Sequence, residues 1–207
     1  MHPVLEAAAP DGFALWPVAL VEPYGFLPLS GELTPYEVGT ALMSIAAYND
    51  PAAGSGRPAD PLGSFLHGLL TAEDALAPGG MRVTDSSTGA AFLPGCCNGL
   101  EEWRDWCEVL DGGGSAGFGH DPDAYAERFG GTVRLTADTG RGDGPVIEVP
   151  VSELRRLLEG AERDLAAFLA LADGWASRYL PGHAAPVRSA LAHALGMPES
   201  AASPPLP

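Results

Sequence analysis

The chain has 207 residues, 46% of them hydrophobic, which suits one globular domain with a buried core and excludes a disordered chain. It carries 27 acidic and 11 basic residues, a net charge of −16, and contains no lysine. This balance excludes binding to nucleic-acid backbones and to anionic membrane surfaces, which both need clustered cationic side chains. It favours a basic protein as partner.

The composition also predicts where the protein works. Arginine without lysine, together with abundant alanine, glycine and proline, indicates a high-GC genome such as that of an actinobacterium. The N-terminus has no basic segment, and prolines interrupt the apolar run 13–29, so neither a signal peptide nor a membrane span is predicted. Three cysteines, two of them adjacent, are typical of reduced thiols, and we expect a cytoplasmic protein.

The first half of the chain predicts two helices after a proline-rich start. Residues 13–29 are interpreted as one or two edge strands, or as extended chain packed on the core. Thr34 and Glu37 form a capping box around Pro35, which predicts a helix over 35–48. Residues 49–60 are a loop, and a second helix begins at Pro61.

The middle of the chain predicts a hairpin, a helix and a loop. Short apolar segments at 81–84 and 90–93 flank turn residues and predict a β-hairpin. Asn98 is placed to cap a helix over 99–110. A glycine-rich loop over 111–119 follows, and Asp121 then caps a short helix that ends at Arg128.

The last third predicts the main core element. Residues 132–137 and 145–149 form an antiparallel pair, and leucines and other apolar residues repeat at helical spacing over 150–179. A shorter helix over 185–196 follows. We predict an α+β fold with a small antiparallel sheet packed by several helices and a long amphipathic helix near the C-terminus. Residues 1–182 form the domain, and 183–207 form a short helix and a disordered proline-rich tail.

The segment 92–122 contains all three cysteines, and we interpret them as core thiols. Adjacent residues of a strand point to opposite faces, so Cys96 and Cys97 are not expected to share a ligand. Cys107 falls on the apolar stripe of the helix 99–110, facing inward. No metal site and no cofactor is predicted.

Two functional interpretations of this segment stay open. In one, the chain is a cysteine-dependent enzyme, with Cys97 before a helix N-terminus, His120 as base and Asp121 or Asp111 as orienting group. In the other, His120 and Asp121 only form a turn and the segment is a binding surface. Trp106 then lies off the buried stripe, exposed among carboxylates beside a mobile glycine loop. The predicted binding residues are Glu101, Glu102, Asp105, Trp106, Phe118, His120 and Asp121.

The order of elements carries a family resemblance. A hairpin ends in Phe92-Leu93-Pro94-Gly95, and a glycine-rich loop, a strand pair and an amphipathic closing helix follow. Over residues 81–179 this order resembles the SUKH superfamily of bacterial immunity proteins, and it carries no functional residue over. The resemblance implies an acidic cytoplasmic α+β domain that binds a toxin. We therefore expect a non-catalytic acidic protein-binding module of an immunity or accessory type, with the cysteine enzyme as alternative.

Overall fold

Two antiparallel sheets and five α-helices make up the part of the chain that the computed structural model describes. The described residues are 1–8, 12–22, 24–50, 56–112, 114–142 and 144–198. The predicted α+β class is confirmed, although the strands form two sheets of four rather than one small sheet.

The first sheet has the strand order β2-β1-β3-β4. Its strands are β1 (His2–Glu6), β2 (Phe26–Pro28), β3 (Gly79–Thr84) and β4 (Ala91–Phe92). The predicted hairpin is confirmed as β3 and β4, in which Val83 pairs with Phe92. Among the described residues of the proline-rich segment 13–29, β2 is the one strand, and it lies at the sheet edge as prolines require.

The second sheet has the strand order β5-β6-β7-β8. Its strands are β5 (Ser115–Gly117), β6 (Tyr125–Phe129), β7 (Thr132–Thr136) and β8 (Val146–Pro150). The predicted pair β7–β8 is confirmed. Two local predictions are wrong: the glycine-rich loop contains β5, and the expected helix up to Arg128 is β6. β6 pairs on both sides, with β5 and with β7 across Gly130 and Gly131, and this strand pairing overrides the helix signal at Asp121.

The helices fall close to where periodicity placed them. They are α1 (Pro35–Tyr48), α2 (Pro61–Thr71), α3 (Asp105–Asp111), α4 (Val151–Tyr179) and α5 (Ala184–Ala194). The capping box of α1 is confirmed, because the Glu37 amide donates to Thr34 Oγ1 at 3.3 Å and the Thr34 amide donates to Glu37 Oε2 at 2.8 Å. None of the described helices is long and apolar enough to cross a membrane.

Helix α4 is the element that joins the two sheets. It contacts β1 of the first sheet, β7 and β8 of the second, and the helices α1, α3 and α5. Its buried side chains are Leu154, Leu158, Ala161, Leu165, Phe168, Ala172, Trp175 and Ala176. β8 ends at Pro150 and α4 begins at Val151, so no connecting residue separates them.

Helix α5 packs on α4 with Val187 and Leu191 in the same core. The domain boundary at residue 182 stays a prediction. The predicted tail 199–207 and part of the predicted loop 49–60 lie outside the described residues.

Truncating the centre of α4 should be costly. Phe168 is fully buried, so Phe168→Ala should lower the free energy of unfolding by about 3–5 kcal/mol. Glu162→Ala, at an exposed position of the same helix, should change it by less than about 0.5 kcal/mol. Urea denaturation measures both, and equal losses in the two variants would contradict the role given to α4.

Candidate functional site

A short backbone pairing brings two distant loops together at the surface. An isolated antiparallel bridge joins Cys96 to His120. The Cys96 amide donates to the His120 carbonyl at 2.5 Å, and the His120 amide donates to the Cys96 carbonyl at 3.1 Å. One step earlier, the Gly95 amide donates to the Phe118 carbonyl at 2.8 Å. The segment after β4 is therefore held to the segment after β5 by backbone alone.

Two glycines make this close approach possible. A Cβ atom at Gly95 would lie 2.2 Å from the Pro122 carbonyl oxygen, and one at Gly119 would lie 2.7 Å from the Cys96 carbonyl oxygen. Gly119 also has a φ of +91°, in the left-handed region that other residues avoid. A larger residue at either position would separate the two loops.

The pairing places two thiols and one imidazole side by side. The Cys96 and Cys97 sulfur atoms lie 3.4 Å apart, and one ligand atom each from Cys96, Cys97 and His120 lies within 4.8 Å of the others. We call these three residues the thiol–imidazole cluster. The expectation that the two adjacent cysteines point to opposite faces is wrong. Cys97 is not in a strand but has a φ of 64°, which turns its side chain to the side of Cys96.

Negative groups surround the cluster. The hydrogen bond to Cys97 raises the pKa of the Cys96 thiol. The carboxylates of Glu6 and Asp121 raise that pKa further. His120 Nδ1 lies 3.8 Å from Asp121 Oδ2, and both side chains are exposed. The structure therefore brings together Cys97, His120 and Asp121, the three residues of the enzyme interpretation.

The expectation of core thiols is wrong for all three cysteines, which are exposed. The prediction that Cys107 points inward assumes a continuous α-helix over 99–110. The structure instead has a 3₁₀ helix, Leu100–Arg104, followed by α3. Residues three apart eclipse each other in a 3₁₀ helix, so the buried face runs through Trp103 and Trp106 and leaves Cys107 outside.

Two aromatic residues that were predicted to be exposed are buried, Trp106 through this change of phase and Phe118 where its amide donates to the Ala124 carbonyl beside the β5–β6 pair. Trp106 is 1% exposed and Phe118 is 2% exposed, so neither can contact a partner. Their rings stack with centroids 4.3 Å apart, and Phe92 packs edge-on against both. This aromatic group forms the floor below the bridge that joins Cys96 to His120.

The predicted capping role of Asn98 is also wrong. Asn98 is buried, and its side-chain amide donates to the Gly79 carbonyl at 2.7 Å, which ties the segment to β3. Gly99 is the residue before the 3₁₀ helix, with no side-chain cap. The 3₁₀ helix continues directly into α3, so the helical stretch of this segment begins after Gly99 and ends at Asp111.

An acidic surface lies on the 3₁₀ helix and α3. We define it by Glu101, Glu102, Asp105 and Glu108. Burial, the largest cause, raises the pKa of the first three carboxyls, and acidic neighbours raise each of them further. The His193 imidazole opposes this rise in part at Glu101.

No ion pair involves these four carboxylates among the residues that the structure describes. The arginine within the segment is engaged elsewhere. Arg104 donates from Nε and Nη2 to the Gly196 carbonyl at 2.9 and 2.6 Å, and it lies over the Trp103 ring. The four carboxylates thus form an uncompensated negative surface.

Two residues that the sequence did not single out connect the acidic surface to the cluster. Tyr48, at the end of α1, is 49% exposed. Burial raises its pKa, and so do the negative groups of Cys97, Cys96, Glu6 and Glu101. Tyr48 therefore lies near both regions, and Glu6 lies near Tyr48 and Cys96. Neither residue belongs to a local motif that could have indicated this, because the proximity arises from tertiary packing.

No protein-family model, curated protein or solved structure matches this chain. The chain is an α+β protein with two antiparallel sheets, an exposed thiol–imidazole cluster and an adjacent acidic surface. The resemblance to the SUKH superfamily stays a prediction.

Trp106 should behave as a core residue. Because its ring is stacked on Phe118 and buried, Trp106→Ala should lower the free energy of unfolding by about 3–5 kcal/mol. Asp105→Asn, one residue earlier, should leave that free energy unchanged or raise it, since it removes a carboxylate with a raised pKa. Urea unfolding followed by near-ultraviolet circular dichroism measures both. A Trp106→Ala variant as stable as the parent would contradict the burial described above.

Proposed function

We propose that this chain is a non-catalytic, acidic protein-binding module that captures a basic protein through its acidic surface. The observation that carries the proposal is the set of half-buried carboxylates Glu101, Glu102 and Asp105, none of which forms an ion pair within the described part of the chain. Carboxylates of this kind lower the stability of the folded state, so folding does not explain their presence, whereas a role in binding would. A partner's arginine or lysine side chains would supply the missing positive charge.

The revised surface changes which groups meet the partner. Trp106 and Phe118, predicted as aromatic anchors, are buried, whereas His120 and Asp121 stay exposed at one edge. Tyr48 is the aromatic residue that lies among the negative groups. A tyrosine combines apolar area with a polar tip, which suits an interface centre. Charge would then govern the rate of encounter and the choice of partner, and Tyr48 would contribute contact area.

The specific form that we propose is an immunity-type or accessory factor in the cytoplasm. The net charge of −16 supports it, since a chain with this charge attracts basic proteins over a long range. The order of elements that resembles the SUKH superfamily supports the same role. Reduced thiols at the surface fit this compartment.

Neutralising the acidic surface should separate binding from stability. The test variant is Glu101→Gln, Glu102→Gln and Asp105→Asn combined. Raised carboxyl pKa values mean that the native state binds protons more tightly than the unfolded state. Native stability therefore falls as the pH rises through these pKa values and returns as the pH falls. The neutralised variant should be at least as stable as the parent at neutral pH, and its advantage should shrink in acid.

Partner capture should show the opposite change. The tagged parent, the neutralised variant and a control with the same loss of charge are each incubated with lysate of the native organism. The control replaces Glu32, Glu73 and Glu159, all exposed and outside the acidic surface, with Gln. We expect the parent and the control to capture one basic protein at about 0.05 M salt. The neutralised variant should lose it, and about 0.5 M salt should release it from both the parent and the control.

Equal capture by the neutralised variant, or capture of no basic protein by the parent, would refute the proposal. For an immunity-type role, the captured protein should be toxic when expressed alone. Toxicity should disappear on coexpression with the parent and persist on coexpression with the neutralised variant.

A second candidate function is a cysteine-dependent enzyme, and one observation favours it. The bridge between Cys96 and His120 gathers the two thiols and the imidazole, with Asp121 3.8 Å from His120 Nδ1. Against it stands the absence of these side chains from the lining of the neighbouring cavity. That cavity, of about 410 Å³, is lined by Pro122, Leu93 and residues of the β7–β8 loop.

Alkylation distinguishes the two functions. In a Cys96→Ser, Cys107→Ser background, the iodoacetamide reaction reports on Cys97 alone. An enzyme that uses His120 as base requires the rate at neutral pH to fall in His120→Ala. A rate that is unchanged by His120→Ala supports the non-catalytic function.

A further inference from the structure

The thiol–imidazole cluster has the ligand types of a site for a thiophilic metal ion. Two cysteine thiolates and one histidine nitrogen are ligands that Zn²⁺ prefers, whereas Mg²⁺ and Ca²⁺ take oxygen. Among the residues that the structure describes, this is the group of three that could hold an ion.

The distances in the cluster also fit. Zn–S bonds of about 2.3 Å and Zn–N bonds of about 2.0 Å in a tetrahedron place the ligand atoms roughly 3.5–3.8 Å apart. The two sulfur atoms are 3.4 Å apart, and all three ligand atoms lie within 4.8 Å of one another. Small rotations of these exposed side chains would reach the tetrahedral distances. The backbone need not move, because the bridge between Cys96 and His120 already holds it.

The surroundings supply the groups that metal sites use beyond the ligands. A ligating histidine commonly donates its other ring N–H to a carboxylate, which fixes the orientation of the ring. The Asp121 carboxylate lies 3.8 Å from His120 Nδ1 and could take that role while Nε2 binds the ion.

We propose that Cys96, Cys97 and His120 form a surface site for Zn²⁺ or a cation of the same ligand preference. Each cysteine loses its thiol proton on binding, and the two protons pass to solvent. Three protein ligands leave the fourth position open to water or to a group of a bound molecule. The inference is independent of the proposed function, because metal binding requires no protein partner.

A competition titration with a chromogenic zinc chelator tests the site on the full-length, reduced protein. Excess Mg²⁺ is present to occupy carboxylate sites on this acidic chain. The parent should take one Zn²⁺ per chain. Cys96→Ser and Cys97→Ser should each weaken binding by more than about 100-fold, beyond the effect of Asp121→Asn, for which roughly 10–100-fold is expected. Cys107→Ser is the matched control, an exposed thiol outside the cluster, and should keep the parent affinity.

Co²⁺ provides a second readout. The parent should show thiolate-to-cobalt charge transfer and the intense visible bands of a tetrahedral ion, and both should disappear in Cys97→Ser. No Zn²⁺ uptake by the reduced parent would overturn the proposal. Parent-like affinity in both Cys96→Ser and Cys97→Ser would do so too, since it would assign binding to carboxylates. Because these side chains are exposed, melting temperatures of the variants near that of the parent will confirm that any loss is not unfolding.

Discussion

The packing of α4 between two sheets is the interaction on which the rest of the structure depends. Its apolar face contacts β1 of the first sheet and β7 and β8 of the second, so it contributes to the buried side of both sheets. Burying large apolar side chains is the main favourable term in folding. The single core that results includes Phe92, Trp106 and Phe118, which lie below the loops of the candidate site. The loops of the candidate site therefore lie against packed core residues.

The fold was predictable where its signals are local. The periodicity of 150–179 indicated α4, the capping box marked the start of α1, and turn residues between apolar runs revealed the β3–β4 and β7–β8 pairs. β5 and β6 were not predicted. A glycine-rich stretch is typical of a loop, and an Asp-Pro step is typical of a helix N-cap, when each is considered without its partner strand. Their strand state comes from pairing between consecutive strands, of β5 with β6 and of β6 with β7 across Gly130 and Gly131.

The candidate site was less predictable, for two physical reasons. The predicted burial of the side chains in 99–110 assumed one continuous α-helix. The 3₁₀ helix changes the angular positions of the side chains that follow it, so Trp106 is buried and Cys107 is exposed. The proximity of Cys96, Cys97 and His120 depends on a left-handed residue and on backbone bonds between loops more than 20 residues apart. Neither feature produces a recognisable spacing of residue types in the sequence. The alternative enzyme interpretation named Cys97 and His120 from their residue types, and the sequence could not show that they lie close together.

The direct junction of β8 and α4 has a mechanical consequence. With no connecting residue after Pro150, the direction of the strand sets the direction of the helix. A helix of 29 residues is roughly 43 Å long, so it acts as a lever arm for the second sheet. A rotation of that sheet by about 5° would displace the far end of α4 by roughly 4 Å. α5, packed on α4, would follow, and a probe on α5 paired with one on β2 of the first sheet would report small tilts as large changes in distance.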